Sequence, residues 1–136
     1  MVAGRLRVVA VLAVPVVVAT GLGIRAVCTG DVAKYAGDAL YTVLVYTVCV
    51  AANPRMRPRT VAGLAVGFSW AVEFFQLTGL SAEWSVRSGL ARLVLGSTFN
   101  APDLLWYVVG ACAGWAVHGR AVRGRAVRGW ALFRVR

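Results

Sequence analysis

The stretch Val61-Ala-Gly-Leu-Ala-Val-Gly-Phe-Ser-Trp-Ala-Val-Glu-Phe-Phe-Gln-Leu77 carries Glu73 and Gln76 inside an otherwise apolar run. At about 1.5 Å per residue, a helix of this length covers most of a bilayer's hydrocarbon core. A charged side chain at membrane depth costs roughly 2.5–3.5 kcal/mol on insertion scales, so Glu73 demands either a structural partner or a function. Ser69, Glu73 and Gln76 recur at i, i+4 and i+7 and form one helical stripe. Gly63 and Gly67 lie to one side of that stripe and are expected to form a close-packing face for another helix.

The rest of the chain repeats the pattern. Of 136 residues, 60% are hydrophobic and 15% charged, and the mean hydropathy is +0.72. A soluble domain of this length has too little polar surface to cover such a core. Four spans are expected, at about 8–24, 37–53, 60–78 and 102–118, giving an all-α, polytopic, four-helix membrane domain over 1–118 and a basic tail over 119–136. Pro15 sits in mid-run in the first span, where proline kinks helices. A signal peptide is the rival reading of that run, because Arg5 and Arg7 precede it, but Arg25 makes a poor lipoprotein cleavage site ahead of Cys28. Ser81–Phe99 alternates Trp84, Leu90, Leu93 and Val94 with Arg87 and Arg92, and reads as an interfacial or re-entrant helix between the third and fourth spans.

Charge sets the expected orientation. Eleven of the fifteen basic residues fall in the N-terminus, the Arg55–Arg59 loop and the tail from Arg120 onward. Those three places share one side of a four-span protein, so both termini are expected to be cytoplasmic. Arg25, Lys34, Arg87 and Arg92 fall on the other side, with Asp31, Asp38, Glu83 and Asp103. The net charge of +10 therefore reflects topology and not a nucleic-acid partner. The tail repeats Arg-Ala-Val-Arg-Gly at Arg120–Gly124 and Arg125–Gly129, a five-residue period that matches neither helix nor strand. With Trp130, Leu132 and Phe133 it suits an anionic membrane surface.

The candidate site follows from depth. Glu73 stands about 21 Å above Arg59 along a helix, in the outer half of the membrane. Asp38 pairs with Thr42, and Asp103 with Tyr107, each at i, i+4 near the outer end of its helix, with Gly110 and Gly114 continuing the Asp103 face. Arg25, Lys34, Asp38, Glu73, Gln76, Arg87, Arg92, Asp103 and Tyr107 are thus expected at one level. Asp38 and Asp103 also suit helix-entry positions, and Glu73 suits an ion pair with Arg25, Arg87 or Arg92. Three cysteines without a CxxC, and one histidine, His118, expected at a helix end, leave no sign of a metal site or disulfide framework. Nucleotide, zinc-protease and serine-hydrolase motifs are absent, and no cofactor is expected.

Lys34-Tyr-Ala-Gly-Asp38-Ala-Leu-Tyr41, Glu73-Phe-Phe-Gln76-Leu77, and Leu93-Val-Leu-Gly96 with Phe99, Asp103, Tyr107 and Gly110 together resemble a family of small bacterial membrane proteins, domain of unknown function 2809. The resemblance runs from about Arg25 to Gly114. A weaker similarity, through E-x-x-Q, an arginine and a helix-opening aspartate, is to VanZ-like envelope proteins, whose Asn after the Asp is missing here. The resemblance implies a bacterial inner (plasma) membrane location and no particular activity.

Three functions are compatible with these residues. One is an outer-leaflet site for an envelope lipid or lipid-linked headgroup, with Arg25, Arg87 and Arg92 holding phosphate, Glu73 as acid/base or orienting group, and Gln76 and Asp38 orienting. The second is a non-catalytic assembly or stability factor whose polar residues lock helices to each other or to membrane partners. The third is a proton or ion path through Glu73 in a homo-oligomer.

Overall fold

The computed structural model describes residues 2–133, with side chains over 3–124. The side chains of Arg125, Arg128, Trp130, Leu132 and Phe133, and the whole of Arg134 and Arg136, lie outside the described residues. Six helices follow in order: α1 Val2–Val27, α2 Gly30–Ala52, α3 Pro58–Gln76, α4 Leu80–Arg87, α5 Gly89–Leu95 and α6 Asp103–Phe133. No strand occurs among the described residues.

The ends of these helices differ from the hydropathy-based spans for local reasons. α1 runs through Pro15 and starts ahead of position 8. α2 begins seven residues before position 37, because extended Thr29 releases a polar first turn with Asp31 at its N-terminus. Hydropathy does not register that turn, yet it places Lys34 on the helix, one turn from Asp38. α3 opens on Pro58, whose fixed φ suits a first helical position. α6 passes position 118 without a break and carries the tail repeat as helix to Phe133. The five-residue period of the repeat marks no helical face, yet Ala and Arg are strong helix formers and no proline interrupts them.

The segment between α3 and α6 is two short helices rather than one. Gly79 at φ +78° turns the chain out of α3, and α4 leaves at 89° to it. Extended Ser88 then ends α4 and caps α5, its Oγ accepting from the Ala91 N–H. Two helices, Ala3–Val27 and Gly30–Ala52, are long and apolar enough to cross a membrane, and a third span results if the bent α3–α4 pair is counted as one.

α2 is central and packs on α1, α3 and α6, while among the described residues α1 packs on α2 alone. α1 turns Val8, Val9, Leu12 and Val16 outward. The interior divides along its length. Towards the end of α2 and the start of α3 it is apolar, built from Ala10, Tyr46, Val50, Val61 and Ala65. There Arg7 donates to the carbonyls of Ala51 and Ala52 at 3.0 and 3.1 Å, satisfying two orphan acceptors at the α2 C-terminus.

Two packing expectations are corrected and one is met. Gly63 and Gly67 are exposed, with nothing within 4 Å of an added Cβ. Buried Val61, Ala65, Ser69 and Glu73 form the packed face of α3 instead. Gly110 and Gly114 do mark a close crossing: a Cβ on Gly110 overlaps the Ala39 backbone, and one on Gly114 meets the Tyr46 ring at 2.9 Å. His118 is buried mid-helix rather than at a helix end, its Nδ1 3.0 Å from the Tyr46 hydroxyl, which also donates to the Pro58 carbonyl.

Candidate functional site

At the other end of the bundle the interior is polar. Thr42 of α2 and Ser69 of α3, both fully buried, share a 3.0 Å hydrogen bond that begins this zone. One turn further along α3 comes Glu73, 1% exposed. Its Oε1 accepts from the Asn100 backbone N–H at 2.6 Å, and its Oε2 from the Tyr107 hydroxyl at 2.9 Å and Gln76 Nε2 at 3.3 Å. These donors occupy both oxygens of an almost wholly buried carboxyl group, which would otherwise carry the desolvation cost of an unpaired polar group. The Trp70 indole N–H donates to the Leu104 carbonyl at 3.1 Å and ties α3 to the first turn of α6 at the same level.

A second polar group adjoins the first through Asn100. The Asn100 amide donates to Asp103 Oδ1, which also accepts from Lys34 Nζ. Lys34 stands 3.6 Å from Asp38 Oδ2 as well. The Lys34 side chain is 41% exposed and that of Asp103 only 6%, so the ammonium reaches inward from the rim to a buried carboxylate. Tyr35 stacks on Trp106 beside them, ring centres 5.4 Å apart. Lys34, Asp38, Glu73, Gln76, Asp103 and Tyr107, expected at one level, thus form one connected network.

The three arginines do not join it. Among the described residues Glu73 makes no ion pair, and its donors are neutral, contrary to the expected pairing with Arg25, Arg87 or Arg92. Arg25 is exposed at the C-terminal end of α1, its guanidinium 3.8 Å from where a Cβ on Gly37 would lie. Arg87 and Arg92 are exposed, Arg87 because α4 turns Ser81 and Ser85 inward and so leaves its arginine on the outer side, Arg92 on α5, none of whose residues is buried. Both line instead a separate open groove of about 570 Å³, together with Ala82, Ser85, Val86, Ser88, Gly89, Ser97 and Thr98. Two guanidiniums with the hydroxyls of Ser88, Ser97 and Thr98 suit an anion with several acceptor oxygens. Trp84, Val86, Leu90, Leu93 and Val94 are exposed on the same two helices.

Groove and network share one segment, Leu95–Asn100. Gln76 Nε2 donates to the Leu95 carbonyl at 2.8 Å, and Ser85 Oγ to the Gly96 carbonyl at 2.9 Å. Gly96, at φ +65° and ψ −174°, occupies a region open essentially to glycine, and an added Cβ would lie 2.7 Å from Gln76 Nε2. Sequence reasoning did not single out Asn100, Ser85, Ser97, Thr98 or Trp70. Asn100 carried a signal, the Asn-Ala-Pro-Asp helix entry; the serines and threonine carried none. Among the described residues, no three His, Cys, Asp or Glu side chains are arranged to hold a metal ion.

Fold and site define an all-helical protein with apolar helices of membrane-crossing length and a buried acid–amide–phenol network at one end. The family described as Protein of unknown function (DUF2809) matches residues 27–111, which include every residue of that network, and the chain belongs to this family. No solved structure matches the chain.

Proposed function

We propose that this chain is a four-span protein of the bacterial inner membrane, with both termini cytoplasmic, that binds the phosphate of an envelope lipid headgroup in the α4–α5 groove at the outer face. The observation that carries this reading is the juxtaposition of Arg87 and Arg92 with the hydroxyls of Ser88, Ser97 and Thr98, beside exposed Trp84, Val86, Leu90, Leu93 and Val94. Charge and apolar surface at one place suit an amphiphile lying at a membrane interface. α6, 31 residues long and packed on α2 and α3, is counted as the fourth span.

The test is native mass spectrometry of detergent-released protein in phosphatidylglycerol, with phosphatidylcholine and inorganic phosphate as comparisons. Hydrogen bonds to charged groups contribute about 1.5–3 kcal/mol each, so Arg87→Ala and Arg92→Ala should each weaken phosphatidylglycerol retention by about tenfold or more. Wild-type retention in the double variant sinks the reading. Binding of inorganic phosphate with equal preference would make the ligand a free anion rather than a lipid.

A second reading, a non-catalytic assembly or stability factor, draws on one observation. Both oxygens of Glu73 are occupied by internal donors, so the network locks α3 to α6 without needing a ligand. Under it, loss of Glu73 lowers bundle stability and leaves lipid retention by the folded fraction unchanged.

A further inference from the structure

Glu73 and Gln76 lie outside the groove, yet they grip both ends of the segment that forms one of its walls. Ser97 and Thr98 line the groove and belong to the connection between α5 and α6. At the near end of that connection, Gln76 holds the Leu95 carbonyl and fills the space that a side chain on Gly96 would take. At the far end, Glu73 holds the Asn100 N–H at 2.6 Å. Between these ties, Ser97 and Thr98 are exposed, their one mutual contact a long 3.5 Å hydroxyl pair. A short loop fixed at both ends keeps its middle in place; one released at either end does not.

We infer that Glu73 and Gln76 are positioning residues for anion binding in the α4–α5 groove: α3 sets the groove's Ser97–Thr98 wall through the Leu95 carbonyl and the Asn100 N–H. The inference rests on the headgroup reading above and assigns the buried carboxylate a part in it that needs no contact with ligand. It also explains why two polar residues three apart sit at the end of an apolar helix. Each holds one end of the same segment.

The experiment joins amide hydrogen exchange with phosphatidylglycerol retention in nanodiscs, on wild type, Glu73→Leu, Glu73→Gln, Gln76→Leu and Tyr46→Phe. Tyr46→Phe removes hydrogen bonds at the apolar end and serves as a control for general loosening. The expected result is exchange at the Asn100 amide accelerated at least tenfold in both leucine variants, with a matching tenfold loss of retention. Glu73→Gln keeps an oxygen for the Asn100 N–H and should restore most of both. Tyr46→Phe should change neither. Unchanged exchange at the Asn100 amide in both leucine variants overturns the inference, as does an equal loss of retention in Tyr46→Phe. Gln76→Leu decides the matter if Glu73→Leu does not fold. Failure of the headgroup reading is read separately, from an Arg87→Ala/Arg92→Ala double variant that retains lipid like wild type.

Discussion

At the scale of single residues, Glu73 is a buried carboxylate stabilised by neutral donors rather than by a counter-charge. The distinction has consequences for substitution. Tyr107→Phe keeps the ring against Tyr41 and removes one of the three donors. It should cost about 1.5–3 kcal/mol, read as an earlier unfolding midpoint in a detergent titration. Lys34→Met strips Asp103 and Asp38 of their shared cation. Removing one partner of a fully buried pair costs roughly 3–5 kcal/mol, and Lys34 is partly solvated, so the loss should be smaller. If Lys34→Met melts no earlier than wild type, the pair is not holding α2 to α6.

At the scale of elements, the α2–α6 crossing is the tight one. Gly110 faces the Ala39 backbone with no room for a methyl, whereas Gly67 faces open space. Gly110→Ala should therefore destabilise by about 1–3 kcal/mol as the helices are forced apart. Gly67→Ala should be neutral or stabilising by up to about 1 kcal/mol, since alanine is the better helix former. Paired thermal melts check both, and the reverse order would mean that α3 carries the close contact. Both glycine pairs show the same i, i+4 spacing in sequence. Only the tertiary arrangement tells a packed pair from an exposed one, because spacing reports which face a residue is on and not what lies opposite.

At the scale of the whole molecule, the division into an apolar end and a polar end gives the bundle a direction. Arg7, Arg55, Arg57 and Arg59 cluster where the interior is apolar, and Lys34, Asp38, Glu73 and Asp103 lie at the other end. In a background lacking Cys28, Cys49 and Cys112, Arg57→Cys and Arg120→Cys should be labelled from the same side of sealed vesicles, and Val86→Cys from the opposite side. Labelling of Arg57→Cys and Arg120→Cys from opposite sides would falsify the four-span arrangement. Outward Val8, Val9, Leu12 and Val16 on α1 then face lipid, the one solvent in which such a surface carries no penalty.

The sequence by itself determined the class: helices throughout, apolar enough to enter a membrane, with the Glu73 stripe and the Asp103–Tyr107–Gly110 face identifiable by period alone. That much is local, since hydropathy, helical period and the cost of a charge in hydrocarbon depend on neighbours along the chain. The tertiary structure decided how the polar residues divide. Arg87 and Arg92 part from Glu73 because Gly79 and Ser88 turn α4 and α5 across the bundle end, and Asn100 joins Glu73 to Asp103 through a backbone N–H that any residue but proline carries. Turns that redirect a chain and bonds made by the main chain leave little mark on side-chain pattern, so they are settled only when the helices pack.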